Sequence, residues 1–226
     1  MAFDKIHLRK VLQCFAMDPK KRASAIRADA RAYVTKERQP RGDGGGDFHS
    51  CFWADAKKFA GNGADIHLLT NGRIEDSWQR KRLYPLLTQG FLEWWNEKRR
   101  WINEEIHALP ESVGAPHNFI ELGGSIKVEN VLALKVGEDG RRLIYPYFAE
   151  HPPLDEVSAR LGLWLMSQAL PRYDVNDMRI LDVLRATAFS VRDQPLTGNE
   201  GTMFVERYAR MLADWKIFVA EFRASG

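Results

Sequence analysis

The stretch SIKVENVLALKVGEDGRRLIYPYFAEHPP, residues 125–153, decides the fold. Apolar residues alternate or cluster on both sides of the tetrapeptide GEDG at 137–140, whose composition is typical of a hairpin turn. The returning run, from Leu143 to Phe148, is followed by two prolines that cannot continue a strand. These features predict a β-hairpin whose second strand stops just before a helix.

The segments after the hairpin alternate between helical and extended patterns. A helix is predicted from the prolines at 152–153 to Pro171, because proline suits a first helical turn and ends a helix that it follows. Strands are predicted over 178–184 and 189–191, and a terminal helix begins near a possible capping box at Thr197. Together these segments predict a core of β-hairpin, helix, strand, strand and helix.

The segments before the hairpin predict a mostly helical N-terminal half. Helical spacing of apolar residues or a helix-start signal marks four helices, over 4–16, from Asp18-Pro19 to about Arg38, over 48–60 and over 86–108. Asp76 with Gln79 suggests a further helix start. The predicted fold class is therefore α+β, with layered helices and strands. We divide it into a helical region, 1–110, with a glycine-rich loop at 41–47, and an α+β core, 111–226, packed together as one globular unit.

The composition is that of a globular protein without a membrane segment. The 226 residues are 45% hydrophobic and 28% charged, and no apolar run approaches the roughly 20 residues that a membrane span needs. The N-terminus lacks the apolar run of a signal peptide. Two cysteines, Cys14 and Cys51, give no disulfide framework. We expect a cytoplasmic protein, and the sequence leaves its oligomeric state open.

The positive charge is concentrated near the N-terminus. Residues 1–41 hold eleven Lys and Arg against four Asp and Glu, although the net charge of the whole chain is only +3. Such a basic segment could bind nucleic acid, or it could pair with the slightly acidic remainder of the chain. Both interpretations are open at this point.

The order of elements resembles the core of the restriction-endonuclease-like PD-(D/E)XK superfamily, most closely its RecB-like exonuclease branch. The resemblance covers about residues 90–191 and rests on pattern, namely a long helix, a strand near 119–122, the hairpin, a helix and a strand. In that family one hairpin strand carries a metal-binding Asp, and the next carries an acid and a Lys two residues apart. The resemblance implies carboxylates that hold Mg²⁺ beside the scissile phosphate and a Lys that helps to activate water.

The resemblance stops short of the catalytic motif. The metal-binding Asp would fall near Ala133, and the acid and Lys would fall on Pro146 and Phe148, none of which can do that chemistry. Glu121, Glu129 and Glu150 lie nearby, but no shift of register supplies the acid-x-Lys pair. We therefore expect no catalytic residues, metal or cofactor. Our first hypothesis is a non-enzymatic protein on an inactivated nuclease-like core that binds nucleic acid or a protein partner.

Basic residues interleaved with aromatic residues suggest where nucleic acid would bind. Basic side chains suit phosphate contacts, and aromatic ones suit base stacking. The candidates come from the N-terminal segment and from RIEDSWQRKRLYP at 73–85: Arg22, Arg27, Arg31, Arg73, Arg80, Lys81 and Arg82. The simpler interpretation of the same residues, which the sequence favours, is an exposed helix face whose aromatic side chains point inward.

Two alternatives belong to other functional classes. His49, Cys51 and His67 have side chains that Zn²⁺ accepts, and they would make a metal-dependent enzyme if they converged. The seven tryptophans suggest instead a structural or assembly subunit that packs its Trp-rich helices against copies of itself.

Overall fold

The computed structural model describes residues 3–39, 47–98 and 105–225, and the glycine-rich segment 40–46 lies outside these ranges. Over the described residues the protein is α+β, with seven α-helices and a seven-stranded mixed sheet. The strands are β1 (Lys5–His7), β2 (Ile106–Ala108), β3 (Val113–Phe119), β4 (Gly124–Val136), β5 (Gly140–Tyr147), β6 (Met178–Asp182) and β7 (Thr187–Phe189). The helices are α1 (Leu8–Ala16), α2 (Pro19–Arg38), α3 (Ser50–Asn62), α4 (Ile66–Asp76), α5 (Tyr84–Glu93), α6 (Glu156–Ala169) and α7 (Glu200–Ala224). None of the described helices is both long and apolar enough to cross a bilayer.

Strand β4 is the centre of the sheet. Its first half is flanked by β1, which is parallel to it, and by β3, which is antiparallel. Its second half is flanked by β2 and β5, both antiparallel. A bulge at Glu129-Asn130, where Asn130 has a φ of 65°, separates the two halves. The last pair between β4 and β5 is Leu132–Ile144, so the residues of β5 after Ile144 no longer pair with β4. The space beside the end of β5 can therefore be filled by side chains from other elements.

The predicted hairpin and the elements that follow it are confirmed. β4 and β5 pair from Leu132–Ile144 to Val136–Gly140 around the 137–140 turn. Helix α6 then connects β5 to β6, which runs parallel to β5, and β7 returns antiparallel to β6. The core therefore has the order of hairpin, helix, strand, strand and helix that the sequence predicts.

Two hydrophobic cores lie on opposite faces of the sheet. Helices α1, α2, α6 and α7 pack on one face against alternate residues of β5 such as Tyr145 and Tyr147. Helices α3, α4 and α5 pack on the other face, against residues such as Leu132, Ile144 and Phe148. Helices on both faces explain why β4 and β5 contain nearly continuous apolar runs.

The predicted helix start at Asp18 is confirmed, whereas the helix predicted from the prolines at 152–153 begins at Glu156, with Asp155 as its N-cap. The Asp18 carboxylate accepts a hydrogen bond from the main-chain N–H of Lys21, and Asp155 accepts one from that of Ser158. Glu200 accepts hydrogen bonds from the main chain and hydroxyl of Thr197 at the start of α7. These local signals mark the starts of three helices.

Three helix predictions are wrong in part. Residues 5–7 are a strand rather than the start of a helix, because they pair with β4. The helix predicted over 86–108 ends with a π-helical turn at 94–98, and 106–108 is a strand on β4. Its segment 99–104 lies outside the described residues. Asp76 ends α4 instead of beginning a helix, and the sequence reading missed α4.

Candidate functional site

The end of β5 is occupied by a closed aromatic cluster. Phe148 is only 2% exposed. The imidazole of His49 stacks on it with the ring centroids 4.8 Å apart, and the edges of Phe52 and Trp53 approach it at 6.2 Å and 5.7 Å. The indole N–H of Trp53 also donates to the carbonyl of Asn130 at the bulge. Helix α3 thus fills the space that opens where β5 leaves β4.

The three positions that the resemblance aligned with a metal site do not share a face. Ala133 is paired with Leu143 and packs in the core that contains α6 and α7. Phe148 packs in the opposite core, and Pro146, two residues earlier on the strand, points to the same side as Phe148. The aligned positions are all buried, and they do not converge on one cleft.

A shell of charged residues surrounds the aromatic cluster. Asp47 forms a short ion pair with Arg9 and accepts a hydrogen bond from the main chain of His49. Burial would raise the pKa of Asp47, but its contacts with His49 and Arg9 hold that pKa well below its usual range. Arg82 binds Glu150 with both guanidinium nitrogens and lowers the pKa of Glu150. These carboxylates are neutralised by neighbouring cations.

Glu129 belongs to the same shell. Its carboxylate lies 3.8 Å from Nδ1 of His7 and 3.9 Å from Nζ of Lys127. Burial and the nearby Arg9 lower the pKa of His7. Within the described parts of the chain, no group of three or more His, Cys, Asp or Glu side chains is arranged to hold a metal ion. Glu129 therefore contributes to a network of ion pairs.

His49, Cys51 and His67 are not brought together. His49 stacks on Phe148, and the thiol of Cys51 lies 4.0 Å from a guanidinium nitrogen of Arg80. His67 is exposed on the first turn of α4. The geometry does not provide the zinc ligand set that the sequence suggested.

Four of the seven predicted nucleic-acid contacts are used within the protein. Arg73 binds the buried Asp55 with two nitrogens, at 2.8 Å and 3.1 Å. Arg80 donates to the carbonyl of Arg73 and lies over the ring of Tyr84. Arg27 pairs with Glu221 at 2.9 Å, and Arg82 with Glu150 as described above.

The other three candidates have fewer constraints. Arg31 lies 5.1 Å from the ring centroid of Phe222 on α7. Lys81 is exposed. Arg22 stands in the first turn of α2 and lines a groove with two arginines of α7, Arg207 and Arg210. Sequence reasoning missed these two arginines. Their spacing of three residues on an amphipathic helix was visible, but nothing local showed that α2 lies beside them.

Of the six described tryptophans that suggested an assembly surface, three are buried, and Trp95 and Trp164 are partly buried. Trp53, Trp94 and Trp215 are at most 6% exposed and belong to the two cores. Trp78 is the exception among the described tryptophans, with 81% of its surface exposed.

The chain matches no known protein-family model, and no curated protein is significantly similar to it in sequence.

Proposed function

We propose that this chain is a non-enzymatic, cytoplasmic nucleic-acid-binding protein built on a nuclease-like core whose catalytic position is filled. Three observations support the proposal. They are the order of elements in the core, the side chains at the end of β5, and the distribution of unpaired cations on α2.

The core supports the likeness to nucleases. An antiparallel meander of β3, β4 and β5 is followed by the helical connection through α6 to the parallel strand β6. This order matches the hairpin, helix and strand of the resemblance. The strand before the hairpin is Val113–Phe119 instead of lying near 119–122, and the long helix of the resemblance is shorter than expected, since α5 and a π-helical turn end at Lys98. Both cysteines are free thiols, as expected in a reducing compartment.

The aromatic cluster argues against hydrolysis. Nuclease chemistry of this kind needs carboxylates on a metal and a water molecule in line with the phosphate. Phe148, His49 and Trp53 fill the position at the end of β5 instead. The surrounding acids, Asp47, Glu129, Glu150 and Asp182, lie against Arg9, Lys127, Arg82 and Arg185 respectively. A cleft of about 310 Å³ lies beside the cluster, but Glu150, which lines it, is paired with Arg82, and Phe148 is not part of its lining.

The observation that carries nucleic-acid binding is the contrast between the two ends of α2. From its middle to its C-terminus α2 is held on α7, since Arg27 pairs with Glu221, Glu37 pairs with Arg223, and Arg38 donates to the carbonyls at 222–223. At the other end, Lys20 and Arg22 have no ion-pair partner among the described residues. Unpaired cations on a rigid helix suit the phosphate backbone, which is bound mainly through charge.

Fluorescence anisotropy with labelled single-stranded and double-stranded DNA and RNA tests the proposal. We expect binding that weakens steeply as the salt concentration rises, because counterions are released from the nucleic acid. The variant Lys20→Glu should weaken binding, whereas Lys135→Glu, the same charge change on the exposed surface of β4, should have little effect. No cleavage should appear with Mg²⁺ or Mn²⁺. Absence of binding at low salt would refute the nucleic-acid function and leave a protein partner, and metal-dependent cleavage would refute the inactive site.

A further inference from the structure

The junction of α1 and α2 faces the middle of α7 across a groove. The groove has a volume of about 310 Å³. It is lined by Phe15 from α1, Arg22 from α2, and Arg207, Arg210, Met211 and Asp214 from α7. Phe15 is 5% exposed and Met211 is 2% exposed, so the floor of the groove is a fixed part of the hydrophobic core.

Three guanidinium groups point to this groove without a carboxylate to neutralise them. No ion pair within 4.0 Å is found for Arg22, Arg207 or Arg210 over the described residues, although Asp214 is part of the lining. Of the other arginines that contact the same helix, Arg27 pairs with Glu221 at 2.9 Å and Arg160 with Glu200 at 3.0 Å, whereas Arg31 lies over the ring of Phe222 without an ion pair to any described residue. What distinguishes the groove is that three unpaired arginines from two helices line one space.

The side chains that line the groove are partly fixed by contacts within the protein. The guanidinium of Arg207 lies 5.7 Å from the ring centroid of Phe15, a cation–π contact that limits its freedom. Arg207 and Arg210 are three residues apart and share a face of α7, and Arg22 approaches from the first turn of α2. Three positive charges near one another repel, which is unfavourable. An anion placed between them would be attracted by all three and would offset that repulsion.

We propose that the groove between α2 and α7 is a phosphate-binding site in which Arg22, Arg207 and Arg210 hold one phosphate group. Guanidinium groups match phosphate oxygens in geometry and remain charged at every physiological pH. The single acid, Asp214, accepts a hydrogen bond from a hydroxyl or amino group next to the phosphate and repels a second anion. The ligand class is thus a phosphate ester that carries neutral hydrogen-bond donors, as a nucleotide does.

The phosphate can come from a nucleic-acid strand or from a free nucleotide. The first source rests on the proposed function, and the second does not. An experiment with three probes separates them: inorganic phosphate, a nucleoside monophosphate and a single-stranded oligonucleotide. Arginine Nε–Hε signals in NMR spectra report binding of the small probes, and fluorescence anisotropy reports binding of the oligonucleotide.

The variants are Arg22→Gln and Arg210→Gln, with Lys216→Gln as the matched control. Lys216 is exposed on the opposite face of α7, so its substitution removes the same charge from the same helix. We expect each arginine variant to weaken binding of the mononucleotide on the order of tenfold, because a charge-assisted contact is lost. The control should bind nearly as well as the wild type, and all variants should keep the wild-type melting temperature.

Each outcome decides the proposal. Loss of mononucleotide binding in both arginine variants, with or without loss of oligonucleotide binding, supports the site. If the oligonucleotide does not bind the wild type while the mononucleotide does, the groove is a small-molecule site and the nucleic-acid function fails alone. If the oligonucleotide binds but the arginine variants weaken it no more than Lys216→Gln, the groove proposal is overturned and the nucleic-acid function survives. Failure of every probe to perturb the arginine signals overturns the groove proposal as well.

Discussion

The imidazole of His49 lies parallel to the ring of Phe148, with an angle of 1° between the planes and 4.8 Å between the centroids. This stack joins the start of α3 to the end of β5. Asp47 accepts a hydrogen bond from the main chain of His49 and pairs with Arg9, so the same stack connects the aromatic cluster to its charged shell. The aromatic residues at the end of β5 therefore have a structural role that can be measured.

Phe148→Ala tests how tightly the end of β5 is filled. Removing a fully buried aromatic ring leaves a cavity, so we expect the free energy of unfolding to fall by about 3–5 kcal/mol. Chemical denaturation followed by tryptophan fluorescence measures the change. Ile120→Ala serves as the control, because Ile120 is 89% exposed and its loss should cost less than about 0.5 kcal/mol. A cost below about 1 kcal/mol for Phe148→Ala would mean that the cluster is loosely packed.

Arg73→Gln separates a structural role from a nucleic-acid role for one of the predicted contacts. Asp55 is 2% exposed, and Arg73, which is 30% exposed, binds it through two hydrogen bonds that raise the pKa of the guanidinium. Without Arg73, Asp55 keeps only the exposed Lys58, whose Nζ lies 3.5 Å from the carboxylate. The free energy of unfolding should therefore fall by about 2–3 kcal/mol, somewhat less than for a buried pair that loses its only partner.

The control for Arg73→Gln is the same substitution at a more exposed pair. Arg82→Gln removes a partner from Glu150, which is 36% exposed, and should cost less than about 1 kcal/mol. Thermal and chemical denaturation of both variants give the comparison. If Arg73→Gln folds as stably as the wild type but loses affinity for nucleic acid, Arg73 is a ligand contact and the structural interpretation is wrong.

Local signals in the sequence predicted the hairpin and several helix ends, because those depend on neighbouring residues. The GEDG turn depends only on the conformations of its own four residues. Asp18 and Asp155 cap their helices by accepting hydrogen bonds from N–H groups only three residues away. The short strands β1 and β2 were missed, since each has three residues and exists only by pairing with β4.

The candidate sites depend on contacts between residues far apart in the chain. The resemblance placed Phe148 where a catalytic residue would stand in the family, but the sequence could not show that His49 and Trp53 pack against Phe148. In the same way it identified Arg22, and only the packing of α2 against α7 brings Arg207 and Arg210 to it. Which cations are neutralised is a property of tertiary structure.

The pH dependence of folding tests the environment of His117 on β3. Burial lowers the pKa of its imidazole, whose ring lies against Phe119. In the unfolded chain histidine titrates near about 6.5. Between neutral pH and about pH 5, His117 therefore binds a proton in the unfolded chain but not in the folded protein. The free energy of unfolding falls as the pH falls, because protonation stabilises the unfolded chain.

Two measurements check this prediction. In NMR titrations the His117 imidazole should titrate below the ordinary value, and His117→Gln should make the loss of stability on acidification less steep than in the wild type. A titration of His117 at or above the ordinary value would contradict the burial argument.

Gly90 tests the contact between α5 and the short 3-10 turn at 183–185, which follows β6. A Cβ atom at position 90 would lie 2.1 Å from the carbonyl oxygen of Val183 and 3.1 Å from its carbonyl carbon. Main-chain atoms of a buried turn cannot move aside as a flexible side chain can. Gly90→Ala should therefore lower the free energy of unfolding by about 3 kcal/mol, at the upper end of the usual cost of overpacking.

Gly72 provides the matched control for Gly90→Ala, because it lies inside helix α4 and a Cβ there would meet nothing within 4 Å. Gly72→Ala should raise the free energy of unfolding by about 0.5–1 kcal/mol, since alanine loses less chain entropy in a helix than glycine does. Denaturation of the two variants side by side gives effects of opposite sign. Equal changes in the free energy of unfolding for the two variants would show that α5 does not approach the 183–185 turn closely in solution. The packing of α5 on that face of the sheet would then be wrong.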